Sequence, residues 1–137
     1  MSVALDLNAA ILKAMSSVPE CVGAGYIDVA SGLVLGSRLV DSLPADIVDL
    51  LAAAVAEMFQ GPNVIAVESF IKKLRGIETS HHFFQEITVH SDNMRHIFMR
   101  GRKNQDYVLA LVCRKTVNFG LALAKARAAL PIVEVAI

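Results

Sequence analysis

Few residues in this 137-residue chain are of a type and spacing that could do chemistry. His81, His82, His90 and His96 are the best candidates for holding a metal. A three-residue loop, Asp92-Asn93-Met94, would join the strands on either side and set His90 opposite His96. Zinc asks for three or four ligands in tetrahedral reach, and no carboxylate or thiol is clearly placed to complete such a set. Solvated or partner-facing histidines are the favoured reading. Serine, histidine and aspartate are all present, but no G-x-S-x-G elbow presents a nucleophile to a base. No G-x-x-x-x-G-K-[ST] loop is present to cradle a nucleotide phosphate. Cys21 and Cys113 lie inside apolar strand-like runs and read as reduced core thiols of a cytosolic protein. The residues therefore assign no catalytic group, no metal and no cofactor.

One local feature stands out against a balanced charge. Arg95, Arg100, Arg102, Lys103, Arg114 and Lys115 cluster in sequence, although Lys+Arg and Asp+Glu are both 13. Solvated strand ends are the commoner outcome for such a cluster; docking an acidic partner surface is the alternative. Phe84 and Phe98 interleave with it, but the ordered stacking platform of an RNA-recognition motif is absent. The neutral total shows no pull toward nucleic acid or anionic membranes.

Whatever positions these residues is unusually apolar. Hydrophobic residues make up 55% of the chain, with a mean hydropathy of +0.53. Charges break every run well short of the ~18 uninterrupted apolar residues of a membrane helix. The excess is therefore expected in a subunit interface. The N-terminus lacks the basic, apolar and small-residue succession of a secretion signal, so a cytoplasmic location is expected. The length suits one domain spanning 1–137.

The organising stretch is Pro44 to Gln60. Ile47, Leu50, Leu51, Ala54, Val55, Met58 and Phe59 recur at helical spacing, and Val48, Ala52 and Ala56 widen the stripe. The apolar arc covers roughly two thirds of the helix, more than one sheet face can bury. Such a helix packs on its own sheet on one side and on other elements or a second subunit on the other. Ala52 and Ala56, one turn apart, are expected at a close helix–helix contact. Leu51, Val55, Met58 and Phe59 are expected to divide between core and interface.

Around it the chain reads in order. Leu7, Ile11, Ala14, Met15 and Val18 mark a first helix closed by Pro19. Cys21–Asp28 and Leu33–Val40 read as strands joined at Ser31-Gly32, with Gly23 and Gly25 leaving room for close approach. Asp41-Ser42-Leu43-Pro44 supplies a capping candidate and a first-turn proline for the long helix. Gly61-Pro62 interrupts it, and Val64 to Leu74 resumes a helical pattern ended by Gly76. Strands follow at Phe84–Ser91, Arg95–Arg102 and Tyr107–Arg114. The three-residue loop would pair Val89 with Ile97, Ile87 with Met99 and Glu86 with Arg100. The unbroken apolar run Tyr107–Cys113 demands a central strand buried on both faces. Thr116 is the expected cap of a last helix, Val117–Leu130, stopped by Pro131, with residues 131–137 as a tail that adds a short strand or meets a neighbour.

The succession helix, strand, strand, long helix, three strands, helix resembles the roadblock family, the dynein light-chain-like domains, in its free-standing bacterial form. Val22–Leu35 is similar to the family's glycine-containing first hairpin. Glu86-Ile-Thr-Val89, Arg95-His-Ile-Phe98, Val108–Val112 and Asn118-Phe-Gly-Leu121 are similar to the later strands and the entry of the final helix. The likeness covers about residues 3–130 and lies in the sum of weak signals. It implies an α+β fold with a five-stranded antiparallel sheet in order 2-1-5-4-3 between helices. It further implies a homodimer through the second helix and the neighbouring edge strand, here Leu51, Ala52, Val55, Ala56, Met58, Phe59 and Phe84. The implied role is non-catalytic: a regulator or adaptor of a small Ras-like GTPase, met through Arg95, Arg100 and Arg102 or offering an arginine to the bound phosphate. A scaffold or ligand-sensing module without a GTPase partner is the alternative.

Overall fold

The computed structural model describes residues 3–41 and 44–137. Helix α1 (Val3–Ser17) leads into strands β1 (Cys21–Asp28) and β2 (Leu33–Leu39). Helices α2 (Ala45–Gln60) and α3 (Pro62–Arg75) come next. Strands β3 (Glu86–His90), β4 (Met94–Arg100) and β5 (Tyr107–Arg114) precede helix α4 (Phe119–Glu134). The strands form one five-stranded sheet in the order β2-β1-β5-β4-β3, every neighbouring pair antiparallel. β5 is central, as its unbroken apolar run requires. An edge strand of that composition would offer both apolar faces and free backbone groups to other chains.

The two faces of the sheet are covered unequally. On one, α1 and α4 pack together through Leu7, Ile11, Ala14, Ala122, Ala126 and Leu130, above Tyr26, Ile97, Met99, Leu109 and Leu111. Alanines on α4 keep side-chain bulk low where the two helices meet. On the other face α2 stands alone, seating Ala52, Val55 and Phe59 on Ile27, Val29, Phe98 and Val108. Burying one such aromatic ring stabilises the fold by about 1.5–3 kcal/mol. Helix α3 contributes only Glu68 to the buried set.

Local chemistry explains where the elements break. Gly61 is extended and donates its N–H to the Glu57 carbonyl at 2.9 Å. A Cβ there would lie 2.7 Å from that same oxygen, so a glycine is required by contact with the backbone. Pro62 then starts α3 where its missing N–H costs nothing. Gly76, left-handed at φ 66°, closes α3 by donating back to Lys72 and Lys73. Pro44 occupies the N-cap of α2 without a side-chain capping bond. Of the expected capping segment, Ser42 and Leu43 lie outside the described residues.

The sequence expectations fail at three local points. The β3–β4 hairpin is one residue out of the expected register: Val89 faces His96, Ile87 faces Phe98 and Glu86 faces Met99. Ser91 N–H reaches the Met94 carbonyl at 3.1 Å, so the turn is Asp92-Asn93 alone. Apolar residues of β4 are buried on both faces, Ile97 and Met99 on one and Phe98 on the other. Alternation therefore could not choose the register, and the tight turn does. Glu86 pairs with Arg127 of α4 at 2.8 Å instead of with Arg100.

At the chain end, Asn118 caps α4 by accepting from Leu121 N–H at 3.1 Å, while the Thr116 hydroxyl turns to Glu20. Pro131 does not stop the helix, which runs on to Glu134. A proline there forfeits one hydrogen bond near the helix end. Burial of Leu130 and Val133 against the α1 side, with the Lys103 N–H bound to Glu134 Oε2 at 2.7 Å, offsets that loss. Residues 131–134 of the segment read as a separate tail are thus the last turn of α4. Finally, α2 and α3 together span Asp46–Arg75, long and apolar enough on average to cross a membrane. The break at Gly61 and the packing of α2 on the sheet mark them as elements of the domain.

Candidate functional site

The feature that most calls for a partner is the outer side of α2. Its inward stripe, Ala52, Val55 and Phe59, is buried by the sheet. Its outward stripe is equally apolar: Leu50 and Leu51 are 65% and 54% exposed, with Ile47 beside them at 41%. Beneath the helix the sheet face is only partly covered. Gly23 and Gly25 project no side chain from β1, so with Ala110 and Val112 they floor an apolar cleft of about 280 Å³. Leu51, Val55 and Met58 wall it on one side and Val89, His96 and Phe98 on another. Contiguous exposed apolar surface of this kind marks interaction sites on soluble proteins.

The residues expected at an interface are sorted by this geometry. Leu51 is exposed and Ala56 and Met58 are half-buried, within reach of a partner. Phe84, just before β3, is 39% exposed at that edge of the sheet. Ala52, Val55 and Phe59 face the chain's own sheet. Ala52 in particular is 1% exposed, so the expected close contact at Ala52 is made with the sheet and not with another helix. The wide arc hid the true inward direction: with apolar residues on two thirds of the helix, periodicity alone does not say which third meets the core.

The arginines expected to meet a partner behave differently again. Arg100 is 2% exposed. Its Nε donates to the Phe84 carbonyl at 2.7 Å, Nη1 to Gln60 Oε1 at 3.0 Å and the Gln105 carbonyl at 2.7 Å, and Nη2 to the Phe59 carbonyl at 3.0 Å. The guanidinium also lies 5.1 Å over the Phe59 ring. Burial disfavours its charge and lowers its pKa, opposed by the charges of Glu68 and Asp106. Arg100 therefore joins the end of α2 to two loops and is unavailable to a partner. The Gly61-Pro62 break explains why it is needed: the carbonyls of the last turn of α2 lose their helical donors there. Arg95 is half-buried, its Nη1 donating to the Ser91 and Met94 carbonyls of the hairpin turn. Of the three, Arg102 alone is exposed.

A second buried polar group went unread in the sequence. Glu68 on α3 is 2% exposed, accepting from Phe83 N–H and pairing with His82 Nδ1 at 3.0 Å. Burial alone would raise its pKa, but the hydrogen bonds from His82 and Phe83 and the charges of His82 and Arg100 bring it below the ordinary value. His82 N–H in turn donates to Gln105 Oε1 at 3.0 Å. This latch gives the connector 77–85 its course. The only sequence signal for it was a glutamate on the same helix face as Val64, Ile71 and Arg75.

The histidines do not converge. His90 pairs with Arg95 and packs 4.8 Å from the Phe119 ring on the α4 side. His96 lies 6.1 Å from the Phe98 ring on the α2 side, where burial lowers its pKa. The one-residue register shift thus puts the two on opposite faces of the sheet. Among the described residues, no three His, Cys, Asp or Glu side chains gather as metal ligands.

With this geometry in hand, comparison with known proteins places the fold. No protein-family model matches the chain, and no curated protein does. Solved structures do. The gliding protein MglB of Thermus thermophilus superposes with a TM-score of 0.71 at 19% identity, over 99% of this chain and 91% of that one. An MglB in a tetrameric arrangement gives 0.69 at 21% identity, over 100% and 94%. A Roadblock/LC7 domain from Streptomyces avermitilis gives 0.67 at 16% identity, over 94% and 95%. The chain has the roadblock/LC7 fold.

Proposed function

We propose that this chain is a roadblock-type domain that works as a homodimer in the cytoplasm, without chemistry of its own, as a regulator or adaptor of a small Ras-like GTPase. The observation that carries the reading is the outward apolar stripe of α2 beside an open apolar cleft. Ile47, Leu50 and Leu51 are already about half covered, so burying the rest would contribute about half of the 1.5–3 kcal/mol of full burial, roughly 1–1.5 kcal/mol each. Association costs roughly 4–15 kcal/mol in lost freedom and ordering. One copy of the stripe barely meets that cost; a two-fold contact uses it twice. Symmetry is thus the economical way to cover this helix, with Met58, Ala56 and Phe84 at the rim. The tetrameric arrangement of one MglB of the same fold supports assembly as a property of such domains.

The partner surface follows from what the dimer leaves free. Arg102, exposed and next to Lys103, supplies positive charge that steers an acidic surface toward the β4–β5 end of the sheet. The GTPase itself comes from the sequence resemblance, supported by the shared fold. A second reading has one observation of its own. The cleft beneath α2 is apolar and roomy enough for a small apolar ligand, as a ligand-sensing module would require.

Sedimentation equilibrium of the purified chain, then titration with a Ras-like GTPase from the same organism, tests the proposal. A dimer at micromolar concentration that binds the GTPase is expected. A monomer sinks the dimer, and GTP hydrolysis by the chain alone sinks the non-catalytic reading. A dimer that ignores the GTPase but takes up an apolar fluorophore favours the second reading.

A further inference from the structure

We infer that Cys21 and Cys113 form a cross-strand dithiol that low-molecular-weight disulfides oxidise to an internal disulfide. The sequence reads both as reduced core thiols, and of the two only Cys113 is fully buried. The fold puts them on neighbouring strands, as register partners in β1 and β5. The Arg114 N–H donates to the Glu20 carbonyl at 3.0 Å, closing the hydrogen-bonded pair just outside them. In an antiparallel ladder the next pair inward is the non-hydrogen-bonded one, whose Cα atoms approach to about 4.5 Å. That separation falls within the roughly 4.4–6.8 Å that a disulfide spans. The β-bulge follows the pair, between Cys21 and Gly23, and so leaves it in register. Both side chains lie on the α1/α4 side of the sheet.

Their environments differ in the way that sequential thiol chemistry needs. Cys113 is fully buried, whereas Cys21 is half-buried at the start of β1, after the Pro19-Glu20 turn. Cys21 can be reached from solvent and Cys113 cannot. The hydrogen bond from the Cys113 thiol, against the opposing effect of burial, holds the Cys21 pKa at about 7, while Cys113 is pushed up. Cys21 is thus the attacking group and Cys113 the resolving one. The Cys21 thiolate attacks one sulfur of the external disulfide and expels a thiolate, leaving a mixed disulfide. The Cys113 thiol passes its proton to that thiolate, attacks the Cys21 sulfur and expels the second thiolate. Two protein thiols are oxidised and one external disulfide is reduced to two thiols.

The experiment treats the reduced full chain with excess oxidised glutathione and follows intact mass and free thiols. The wild type is expected to lose two hydrogens and both free thiols, with no glutathione retained and no covalent dimer. Cys113→Ala is expected to stop at a stable adduct of one glutathione on Cys21, and Cys21→Ser to stay unmodified while folded. A wild type that keeps a glutathione, forms an intermolecular disulfide, or holds both thiols free overturns the inference. Because Cys113→Ala touches the core, the wild type is also titrated with phenylarsine oxide, which bridges adjacent thiols. One equivalent should remove both free thiols. Failure to remove either thiol, or removal of Cys21 alone by a monodentate adduct, also overturns it.

Discussion

Replacing Arg100 with methionine should destabilise the fold more than any charge-removing change on the surface. The side chain donates to three backbone carbonyls, those of Phe59, Phe84 and Gln105, and to Gln60 Oε1. Methionine fills similar volume and donates nothing. Each acceptor left buried costs about 1–3 kcal/mol. Gln60 is half-buried and can swing to water, so it is left out of the sum. Taking the lower end for the carbonyls, because loops flank two of them, gives about 3 kcal/mol. The lost contact over the Phe59 ring adds about 0.5–2 kcal/mol. The expected total is about 4 kcal/mol. At this chain length each kcal/mol lowers the melting temperature by about 3–5 °C, so a fall of roughly 12–20 °C is expected. Circular-dichroism melts at matched protein concentration, with urea titration as the second measure, read this out. Arg100→Lys should recover little, since one ammonium cannot reach acceptors arranged for a planar fork. A methionine variant melting within about 3 °C of the wild type, or a lysine variant equal to it, would refute the hub.

Three further outcomes are expected. Leu51→Lys should yield a monomer by sedimentation yet retain the wild-type far-ultraviolet spectrum, because Leu51 lies outside the chain's own core; a dimer of unchanged affinity would contradict this. Glu68→Gln should cost about 2 kcal/mol at neutral pH and flatten the acid side of the stability curve. The folded pKa of Glu68 is depressed from its ordinary value of 4.5, so its contribution is complete above that value and fades as pH falls through the folded pKa. Urea midpoints between pH 3 and 7 that fall equally in both proteins would argue against it. Arg102→Glu should slow GTPase association at low salt and leave the melting temperature unchanged, with the difference shrinking as salt screens exposed charges over about 8 Å at physiological strength; an on-rate equal to wild type would remove this end of the sheet.

Much of the architecture was legible in the order of residues. The unbroken run of β5 announced a central strand, and strand order 2-1-5-4-3 followed from the helix–strand succession and its resemblance to roadblock domains. The two-sided character of α2 was written in its composition, because an apolar arc wider than one sheet face leaves some of it outside. Element ends carried by backbone chemistry, such as the Gly61-Pro62 break and the Gly76 cap, were equally plain.

Other features were decided only by the assembled fold, and the reason is the same each time. Residues of one type were offered several compatible partners, and only the assembled sheet chose among them. Both faces of β4 are apolar, so pattern could not fix the hairpin register; the Asp92-Asn93 turn did, and it parted His90 from His96. Apolar positions cover roughly two thirds of α2, so the inward direction awaited the docking of Ala52, Val55 and Phe59 on the sheet. Arg100 has the same alternating neighbours as any exposed strand arginine. It became a buried hub because long-range packing brought the interrupted end of α2 and two loop carbonyls around it. Cys21 and Cys113 met because β1 pairs with β5. Local pattern is short-ranged and tells which residues seek burial or charge partners; which partner each obtains depends on contacts between segments far apart in the chain.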